Sequence, residues 1–467
     1  MTHNIAVVLA GGVGTRVGLD IPKQLIKIAG RTILEHTLAV FDEHPDVDEI
    51  IVLMAEGHLD AVHAIVKAGG YDKVTTVLPG ADTRSGTTMR ALEAIGDRPA
   101  ETKVLFHDAV RPLVTGRILT DCFEALDTHA AVDVAIPSAD TIVEVDADNT
   151  IRAVPPRAML RRGQTPQAFH LGAIKRAYAL AAQDPDFEAT DDCTVVLRYT
   201  PDTPIWVVHG DESNMKVTEP IDVYIADKLF QLTSRNLLQN RTPEEYAAAL
   251  ADKVVVVFGG SYGIGADIAE LATSYGARVH AFSRSATGTH VERRADLRAV
   301  REQVLAAEGR IDFVVNTAGI LHRDELQQTS EETVYAVTEV NYLAPVFIAQ
   351  EFFAPLRDSG GSLLLFTSSS YTRGRGGYSL YSSAKAAVVN LTQALADEWS
   401  AHGVRVNCVN PERTATPMRT KAFGEEPPES LLESREVARA SLDTLLSKQT
   451  GHVVDLRRVD PLSGADD

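Results

Sequence analysis

Hydrophobic positions in the first part of the chain form short apolar runs separated by amphipathic stretches. Runs at residues 5–9, 49–53, 104–106 and 132–136 predict strands, and residues 33–41 carry the 3.6-residue repeat of a helix. A second series begins with Val-Val-Val-Val-Phe at residues 254–258. Because alternating strands and helices are typical of parallel sheets, we expect an α/β protein with two Rossmann-like domains, each with its own core.

A polar, helical stretch separates the two series. Residues 242–245 (Thr-Pro-Glu-Glu) supply the hydroxyl, proline and carboxylate of a capped helix start. We therefore predict a first domain over residues 1–235, a helical linker over 236–252, a second domain over 253–458 and a frayed tail over 459–467.

Charge and cysteine content narrow the possible functions. A net charge of -19 argues against binding to nucleic acid or to an anionic membrane surface. Cys122, Cys193 and Cys408 offer neither a disulfide framework nor a zinc site. The sequence shows no apolar run of membrane-spanning length and no cleavable leader. We expect a cytoplasmic protein that acts on small molecules.

A glycine-rich loop follows the first predicted strand. Residues 9–16 read Leu-Ala-Gly-Gly-Val-Gly-Thr-Arg, and Pro-Lys-Gln follows at residues 22–24. Glycines after a strand let backbone N–H groups approach phosphates, and Arg16 and Lys23 add positive charge where a triphosphate would lie. Glycine also serves ordinary tight turns, so it is the spacing of Arg16 and Lys23 that makes a nucleotide site the stronger interpretation.

Five segments, in order, resemble the cytidylyltransferases that make CDP-activated polyols. The resemblance covers about residues 4–232; besides the glycine-rich loop, it rests on residues 80–87, 107–112, 157 with 163–167, and 214–216. It implies that a phosphate oxygen of the substrate attacks the α-phosphorus of CTP and that pyrophosphate leaves. Such chemistry requires mainly positioning and neutralisation of charge.

The same resemblance implies roles for individual residues. Arg16, Lys23 and Lys216 would stabilise charge on the α-phosphate, Asp108 would hold Mg²⁺, and Arg157 with Thr141 would position the sugar phosphate. The base and ribose of CTP would lie against Leu9, Ala10, Gly11, Gly12, Gly80, Arg84 and Thr87. On the residues alone, Asp108 could instead form a simple ion pair with Arg111.

The family has one branch that acts on methylerythritol phosphate and another that acts on ribitol 5-phosphate. Residues 9–12 and 163–167 look more like those of the ribitol branch. Because this likeness is only a resemblance, the second domain is the better guide to the substrate.

From Lys253 to about Arg458 the chain resembles the short-chain dehydrogenase/reductase family. Glycines at 259, 263 and 265 follow a predicted strand and precede a helix expected to begin near Ala266. Phe258 stands where the family usually has threonine, so a side-chain hydrogen bond is lost there. The cofactor contacts implied by the family are Gly259, Gly263, Ile264, Gly265, Ser283, Arg284, Asp296, Leu297, Asn316, Ala318 and Gly319. Among them, Arg284 replaces an acidic residue and suits the 2′-phosphate of NADPH.

Four residues match the catalytic set of that family. Tyr381 and Lys385 are one helical turn apart, so the ammonium can lower the phenol pKa and stabilise the tyrosinate. Ser368 would hold the substrate carbonyl, and Asn341 would link Lys385 to a proton-relay water. Tyr378 is a second phenol, but no lysine follows it four residues later, and we expect it to pack in a loop.

Arginines flank this catalytic set. Arg373 and Arg375 precede the tyrosine, and Arg413 and Arg419 follow the loop near the nicotinamide. Guanidinium groups bind phosphate in bidentate fashion, so Arg373, Arg375 and Arg413 are candidates to bind a phosphorylated ketose; the alternative is solvated surface.

The two resemblances together imply a bifunctional enzyme and, by analogy, a homodimer. We expect NADPH-dependent reduction of ribulose 5-phosphate to ribitol 5-phosphate, followed by transfer from CTP to give CDP-ribitol for capsule or teichoic acid synthesis. One alternative is a methylerythritol phosphate cytidylyltransferase fused to an unrelated reductase. Another is a nucleotide sensor without turnover, which would not need the proton donor Tyr381.

Overall fold

The structure, a computed structural model, describes residues 3–11, 21–233 and 241–458, without the side chains of residues 231–233. Gly12, Arg16 and the predicted tail lie outside the described residues. The chain divides into two compact units, residues 1–227 and 228–467. Both units are α/β, which confirms the predicted fold class.

The first unit is built on one large sheet and two small hairpins. Its strands are β1 (Ile5–Ala10), β2 (Lys27–Ile28), β3 (Arg31–Thr32), β4 (Glu49–Met54), β5 (Val74–Pro79), β6 (Lys103–Asp108), β7 (Ala131–Pro137), β8 (Glu144–Val145), β9 (Ile151–Ala153), β10 (Arg161–His170) and β11 (Ile205–His209). Its helices are α1 (Ile33–Glu43), α2 (Leu59–Gly69), α3 (Arg84–Ile95), α4 (Gly116–Ala125), α5 (Leu171–Ala181), α6 (Asp192–Tyr199) and α7 (Pro220–Thr233), the last of which continues past residue 227.

Seven strands pair in the order β11-β7-β10-β6-β1-β4-β5. Strand β10 is antiparallel to β6 and β7, and the other pairs are parallel. Alternate residues of a strand point to opposite faces, so Ala6 and Val8 enter one hydrophobic core while Ile5 and Val7 enter the other. Because helices cover both faces, β1, β4 and β6 are buried along their whole length.

The second unit is a parallel sheet flanked by helices. Its strands are β12 (Val254–Phe258), β13 (Arg278–Phe282), β14 (Phe313–Asn316), β15 (Ser362–Phe366), β16 (Arg405–Pro411) and β17 (Val453–Leu456), and their spatial order is β13-β12-β14-β15-β16-β17. Its helices are α8 (Pro243–Leu250), α9 (Gly263–Ser274), α10 (Arg284–Thr287), α11 (Arg294–Glu308), α12 (Glu331–Thr338), α13 (Ala344–Ser359), α14 (Ser379–Trp399), α15 (Pro417–Phe423) and α16 (Ser434–Leu446).

Helix α8 begins at the predicted cap. The Thr242 hydroxyl accepts a hydrogen bond from Glu245 N, and the Glu245 carboxylate accepts one from Thr242 N. The buried Tyr246 ring stacks on Tyr275 at 4.8 Å, and its hydroxyl donates to Asp443 at 2.9 Å. This helix therefore packs within the second unit, although the sequence assigned it to a linker; the predicted domain boundaries themselves stay a prediction.

The predicted strands and the predicted helix at residues 33–41 are confirmed, and the observed elements are one to three residues longer than predicted. The strand at residues 254–258 has the predicted bounds. Helix α9 starts at Gly263 rather than near Ala266, and Gly263 takes a left-handed φ of 60° that other residues avoid. Among the helices in the described part of the chain, none is long and apolar enough to cross a membrane.

Candidate active sites

The Asp108 carboxylate is the centre of the first site. It ends β6, is 7% exposed, and lies 3.0 Å from Lys216 Nζ, 3.7 Å from Arg84 Nε and 3.8 Å from Arg111 Nε. Burial would raise the pKa of Asp108, but Lys216 and Arg84 outweigh it and lower the pKa to about 2. The carboxylate is therefore ionised at neutral pH, and the pairing with Arg111 is only one of three contacts.

Neighbouring segments hold this carboxylate in place. The Thr165 hydroxyl accepts a hydrogen bond from Asp108 N at 3.1 Å and is hydrogen-bonded to His107 Nδ1 at 3.0 Å. Asn214 Nδ2 donates to Thr165 O, and Arg111 donates to Asn214 O. The segments at residues 80–87, 107–112, 163–167 and 214–216 thus meet at Asp108.

The strand ends beside Asp108 approach each other closely. A Cβ on Gly80 would lie 2.8 Å from Gly11 Cα, and one on Gly11 would lie 3.3 Å from the Thr87 hydroxyl. Leu9 and Ala10 are buried in the core, so only their backbone can face a ligand. These positions form a backbone cradle that a side chain at residue 11 or 80 would fill.

Lys23 approaches the same region from the other side. Its ammonium donates to Thr218 O at 3.4 Å, just after the segment that carries Lys216. The next residue, Gln24, is buried and donates to Ala10 O at 2.8 Å, which ties this turn to the end of β1.

Thr141 and Arg157 lie apart from this cluster, on an exposed arm at residues 139–160 that includes β8 and β9. Arg157 donates to Ala139 O at 3.2 Å. No contact of either residue with Asp108 is described within the ranges that the structure covers, so their role towards the sugar phosphate stays a prediction.

A cavity of about 1080 Å³ opens at the carboxyl edge of the second sheet. Thirteen of the predicted residues line it: Gly259, Gly263, Ile264, Gly265, Ser283, Arg284, Ala318, Gly319, Ser368, Arg375, Tyr381, Lys385 and Arg413. Five do not: Asp296, Leu297, Asn316, Asn341 and Arg373.

The glycine turn has the close packing that its residue types predict. Gly259 has φ 79°, and a Cβ there would lie 2.7 Å from Ala318 N; a Cβ on Gly265 would overlap Gly259 O. Thr317 Oγ1 donates to Phe258 O at 2.9 Å and to Gly259 O at 3.3 Å. Threonine at 317 thus supplies a hydroxyl to the turn, even though Phe258 cannot.

Asp296 and Leu297, two of the expected cofactor contacts, do not line the cavity, and their role stays a prediction. Leu297 is fully buried in the core, and Asp296 accepts a hydrogen bond from His290 N at 2.9 Å. Val291 and Glu292 line the cavity instead, because this irregular segment enters it before α11 begins. The Glu292 carboxylate lies 3.8 Å from Arg284 Nη2, whose side chain is 60% exposed.

Tyr381 and Lys385 share one face of α14, as predicted. Burial lowers the pKa of Lys385 to about 8, and its ammonium donates to Phe366 O at 2.9 Å. Burial also raises the pKa of Tyr381 to about 12, although a hydrogen bond with Ser368 opposes this. The expectation that Lys385 brings the phenol pKa down is not met in this structure. A phenol that stays protonated is nevertheless suited to donate a proton.

Asn341 lies behind the cavity, in a π-helical turn (Glu339–Leu343) between α12 and α13. Its side chain donates to Ile320 O at 2.8 Å and accepts from Ile320 N at 3.0 Å. It therefore holds the turn after β14, which passes close to Lys385; a Cβ on Gly319 would lie 3.8 Å from Lys385 Nζ. Such π turns are frequent at functional sites.

The arginines around the cavity are not equivalent. Arg375 donates to Ser369 Oγ at 3.0 Å, Arg413 lines the cavity, and Arg373 is exposed outside it. Arg419 forms a bidentate pair with Glu426, at 2.6 and 2.8 Å.

Sequence reasoning assigned Tyr378 to loop packing, and the structure gives it two roles. Its ring packs edge-on against Phe423, and it also lines the cavity, where Arg375 approaches its hydroxyl at 3.4 Å. The sequence signal for a place in the cavity was a second phenol three residues before Tyr381, at the start of the same helix.

Comparison with known proteins gives a family match for each unit. Residues 4–232 match the family model of 2-C-methyl-D-erythritol 4-phosphate cytidylyltransferase, and residues 286–427 match that of short chain dehydrogenase. The bifunctional ribulose 5-phosphate reductase/CDP-ribitol pyrophosphorylase of Haemophilus influenzae is 46% identical over 454 residues, which cover 97% of this chain and 95% of that protein.

Two further relatives match about half of the chain. A 2-C-methyl-D-erythritol 4-phosphate cytidylyltransferase of Thermobifida fusca is 50% identical over 230 residues, 48% of this chain and 92% of that protein. A ribitol-5-phosphate cytidylyltransferase of Vibrio parahaemolyticus is 31% identical over 236 residues, 50% of this chain and 98% of that protein. Identity in this half therefore does not by itself favour the ribitol branch.

The fold and the two sites define a nucleotidyltransferase joined to a short-chain dehydrogenase, which supports a nicotinamide cofactor for the second unit. Because the similarity to the Haemophilus influenzae protein extends along nearly the whole of both chains, the chain belongs to the family of bifunctional ribulose 5-phosphate reductase/CDP-ribitol pyrophosphorylases.

The pKa of Lys385 predicts how carbonyl reduction depends on pH. The protonated lysine stabilises the phenolate left by proton donation, so the rate should be constant well below pH 8 and fall as the pH rises through about 8. Tyr381 stays protonated over this range. Initial rates of oxidation of the reduced nicotinamide cofactor measure the profile. Lys385→Arg, which keeps its charge, should remove the fall; a wild-type profile that is flat through pH 8 contradicts the assignment.

Proposed function

We propose that the second unit reduces D-ribulose 5-phosphate to D-ribitol 5-phosphate with NADPH and that the first unit transfers a cytidylyl group from CTP to this product. The products of the second step are CDP-ribitol and pyrophosphate. The observation that carries the proposal is the similarity along the whole chain to a relative with both activities in its name.

The cavity residues of the second unit suit a ketone reduction. When bound, the nicotinamide cofactor supplies a hydride to the carbonyl carbon. Tyr381 donates its phenolic proton to the carbonyl oxygen, while the Ser368 hydroxyl hydrogen-bonds that oxygen. Protonated Lys385 then stabilises the phenolate across the short space that separates the two side chains, with Nζ 5.6 Å from the Tyr381 ring centre.

The Asp108 cluster suits cytidylyl transfer. Lys23 and Lys216 would face the α-phosphate together with Arg16, which is not among the described residues. Within the described ranges, no group of three or more His, Cys, Asp or Glu side chains could hold a metal by itself. One ionised carboxylate nonetheless fits Mg²⁺, which is often bound by one or two carboxylates together with substrate phosphates, whose charge it neutralises.

A second candidate for the first unit is cytidylyl transfer to 2-C-methyl-D-erythritol 4-phosphate. The observation that favours it is the 50% identity to the Thermobifida fusca enzyme. The same Asp108 cluster would serve either acceptor, because both present a phosphate to CTP. Specificity constants measured with the two acceptors decide between them.

The exposed arm of the first unit supports a homodimer. Its large apolar side chains are 44% to 80% exposed: Ile142, Val143, Val145, Ile151, Val154 and Met159. Apolar side chains grouped in this way on a surface mark interaction sites. A partner subunit that covers the arm would also bury Arg157 at the interface.

The proposed function predicts two separable activities. Incubation with ribulose 5-phosphate, NADPH, CTP and Mg²⁺ should yield CDP-ribitol, identified by mass. Tyr381→Phe should abolish NADPH oxidation and leave cytidylyl transfer to supplied ribitol 5-phosphate intact, since the two sites belong to separate units; Lys23→Ala should do the reverse. If each folded variant loses both activities, the two-site proposal is wrong.

Arg284 predicts a preference for NADPH. A guanidinium paired with the 2′-phosphate should favour NADPH over NADH by about tenfold or more. Specificity constants for both cofactors measure the preference, and Arg284→Ala should remove it by weakening NADPH alone. Arg373→Ala, outside the cavity, is the matched control. Equal use of both cofactors by the wild type contradicts the role of Arg284.

Arg375 and Arg413 are predicted to bind the 5-phosphate. Replacing the responsible residue with alanine should lower kcat/KM for ribulose 5-phosphate by about 10- to 100-fold, the loss expected for a charged hydrogen-bond partner. The KM for NADPH should barely change. Arg373→Ala should behave as wild type, because Arg373 is not among the residues that line the cavity. Full activity in both cavity variants would locate the phosphate elsewhere.

The dimer proposal predicts twice the chain mass by light scattering. Charged residues in place of the exposed Ile151 and Met159 should give monomers, because the partner subunit would then have to cover charged instead of apolar side chains. Replacing the exposed Leu197, which belongs to α6 and not to the arm, is the control. A wild-type protein that is monomeric at all accessible concentrations rules the proposal out.

A further inference from the structure

Asp192 is a fully buried carboxylate behind the Asp108 cluster. It is the first residue of α6, with 0% exposure. One oxygen lies 2.8 Å from Arg84 Nη1, and the other accepts a hydrogen bond from the Tyr178 hydroxyl at 2.6 Å. Its backbone N–H donates to Gln167 Oε1 at 3.0 Å. A charge buried this completely is tolerated only when it is paired, so these contacts fix its position.

Arg84 joins Asp192 to Asp108. The guanidinium donates from Nη1 to Thr88 Oγ1 at 2.7 Å, and its Nε lies 3.7 Å from Asp108 Oδ1. Arg84 begins α3, directly after the close approach of Gly80 to Gly11. It therefore connects a buried carboxylate on one side with the carboxylate of the site on the other.

The partners of Asp192 make this a rigid arrangement. Tyr178 is on α5 and bonds the carboxylate, and Gln167 is on β10 and bonds the backbone N–H, so these two elements and α6 meet at Asp192. Burial and Asp192 raise the pKa of Tyr178, so its hydroxyl remains a donor at neutral pH. The Gln167 amide also donates to Asp133 at 3.0 Å, which fixes the orientation of its oxygen towards α6.

We propose that Asp192 is a positioning residue for cytidylyl transfer: it holds the Arg84 guanidinium at the edge of the Asp108 cluster, where Arg84 binds the triphosphate of CTP. A phosphate held at the Asp108 cluster would be within reach of Arg84, given the 3.7 Å between Arg84 Nε and Asp108 Oδ1. Without the anchor, the long arginine side chain samples other rotamers and the fixed charge is lost. This inference rests on the proposed cytidylyl transfer.

The test is a double-mutant cycle between Asp192 and Arg84. Asp192→Asn keeps the size and removes the charge; it should lower kcat/KM for CTP by about 10- to 100-fold, and raise the Kd for CTP measured by calorimetry. In an Arg84→Gln background the same change should have little further effect, because Asp192 then has no guanidinium to hold. The reductase activity of the same chain is the internal control and should stay at the wild-type level.

A second pair of variants covers the case in which Asp192→Asn fails to fold. Tyr178→Phe removes one hydrogen bond to Asp192 and keeps the ring, so it should cause a smaller loss in the same direction that also disappears in the Arg84→Gln background. Losses that are the same with and without Arg84 overturn the inference, because they indicate a general structural role. Calorimetry with CTP needs no acceptor, so this outcome is distinguishable from a failure of the proposed acceptor.

Discussion

Parallel pairing of buried strands is the constraint on which both sites depend. Strands that run in the same direction end at the same edge of a sheet, and there the chain must turn. In the first unit this edge brings Leu9 and Asp108 together across β1 and β6. In the second unit it brings the turn after Phe258 next to Asn316, with the Ser368 loop one strand further on. The sheets are therefore scaffolds whose interiors are apolar and whose carboxyl edges carry the chemistry.

Burial at these edges has opposite consequences for different groups. Asp108 has three cations around it, and its pKa falls to about 2 in spite of burial. Lys385 is buried with its ammonium on the carbonyl oxygen of Phe366, and burial lowers its pKa to about 8. Tyr381 next to it keeps its proton, with a pKa of about 12. One site thus keeps a permanent anion among cations, while the other keeps a neutral acid beside a lysine that titrates near neutrality.

The sequence was sufficient to predict the local structure wherever a residue type has one structural use. Apolar runs predicted the strands, the Thr242 cap predicted the start of α8, and Gly259 and Gly265 predicted a turn that tolerates no side chain. It was insufficient in irregular segments, where no period fixes the direction of a side chain. Val291 and Glu292 enter the cavity instead of Asp296 and Leu297, and Arg375 faces it while Arg373 does not. Nor does the pair Asp191-Asp192 reveal that the second carboxylate is the buried one; this depends on α6 packing against Tyr178.

The position of α8 bears on how the chain could be divided. Asp443 is 4% exposed, and its carboxylate is satisfied by Arg241 and by the Tyr246 hydroxyl, both of which precede β12. A fragment cut immediately before β12 would leave that carboxylate buried without these two donors and would uncover the face of Tyr275. A fragment that keeps the second unit intact therefore has to include Arg241 and α8.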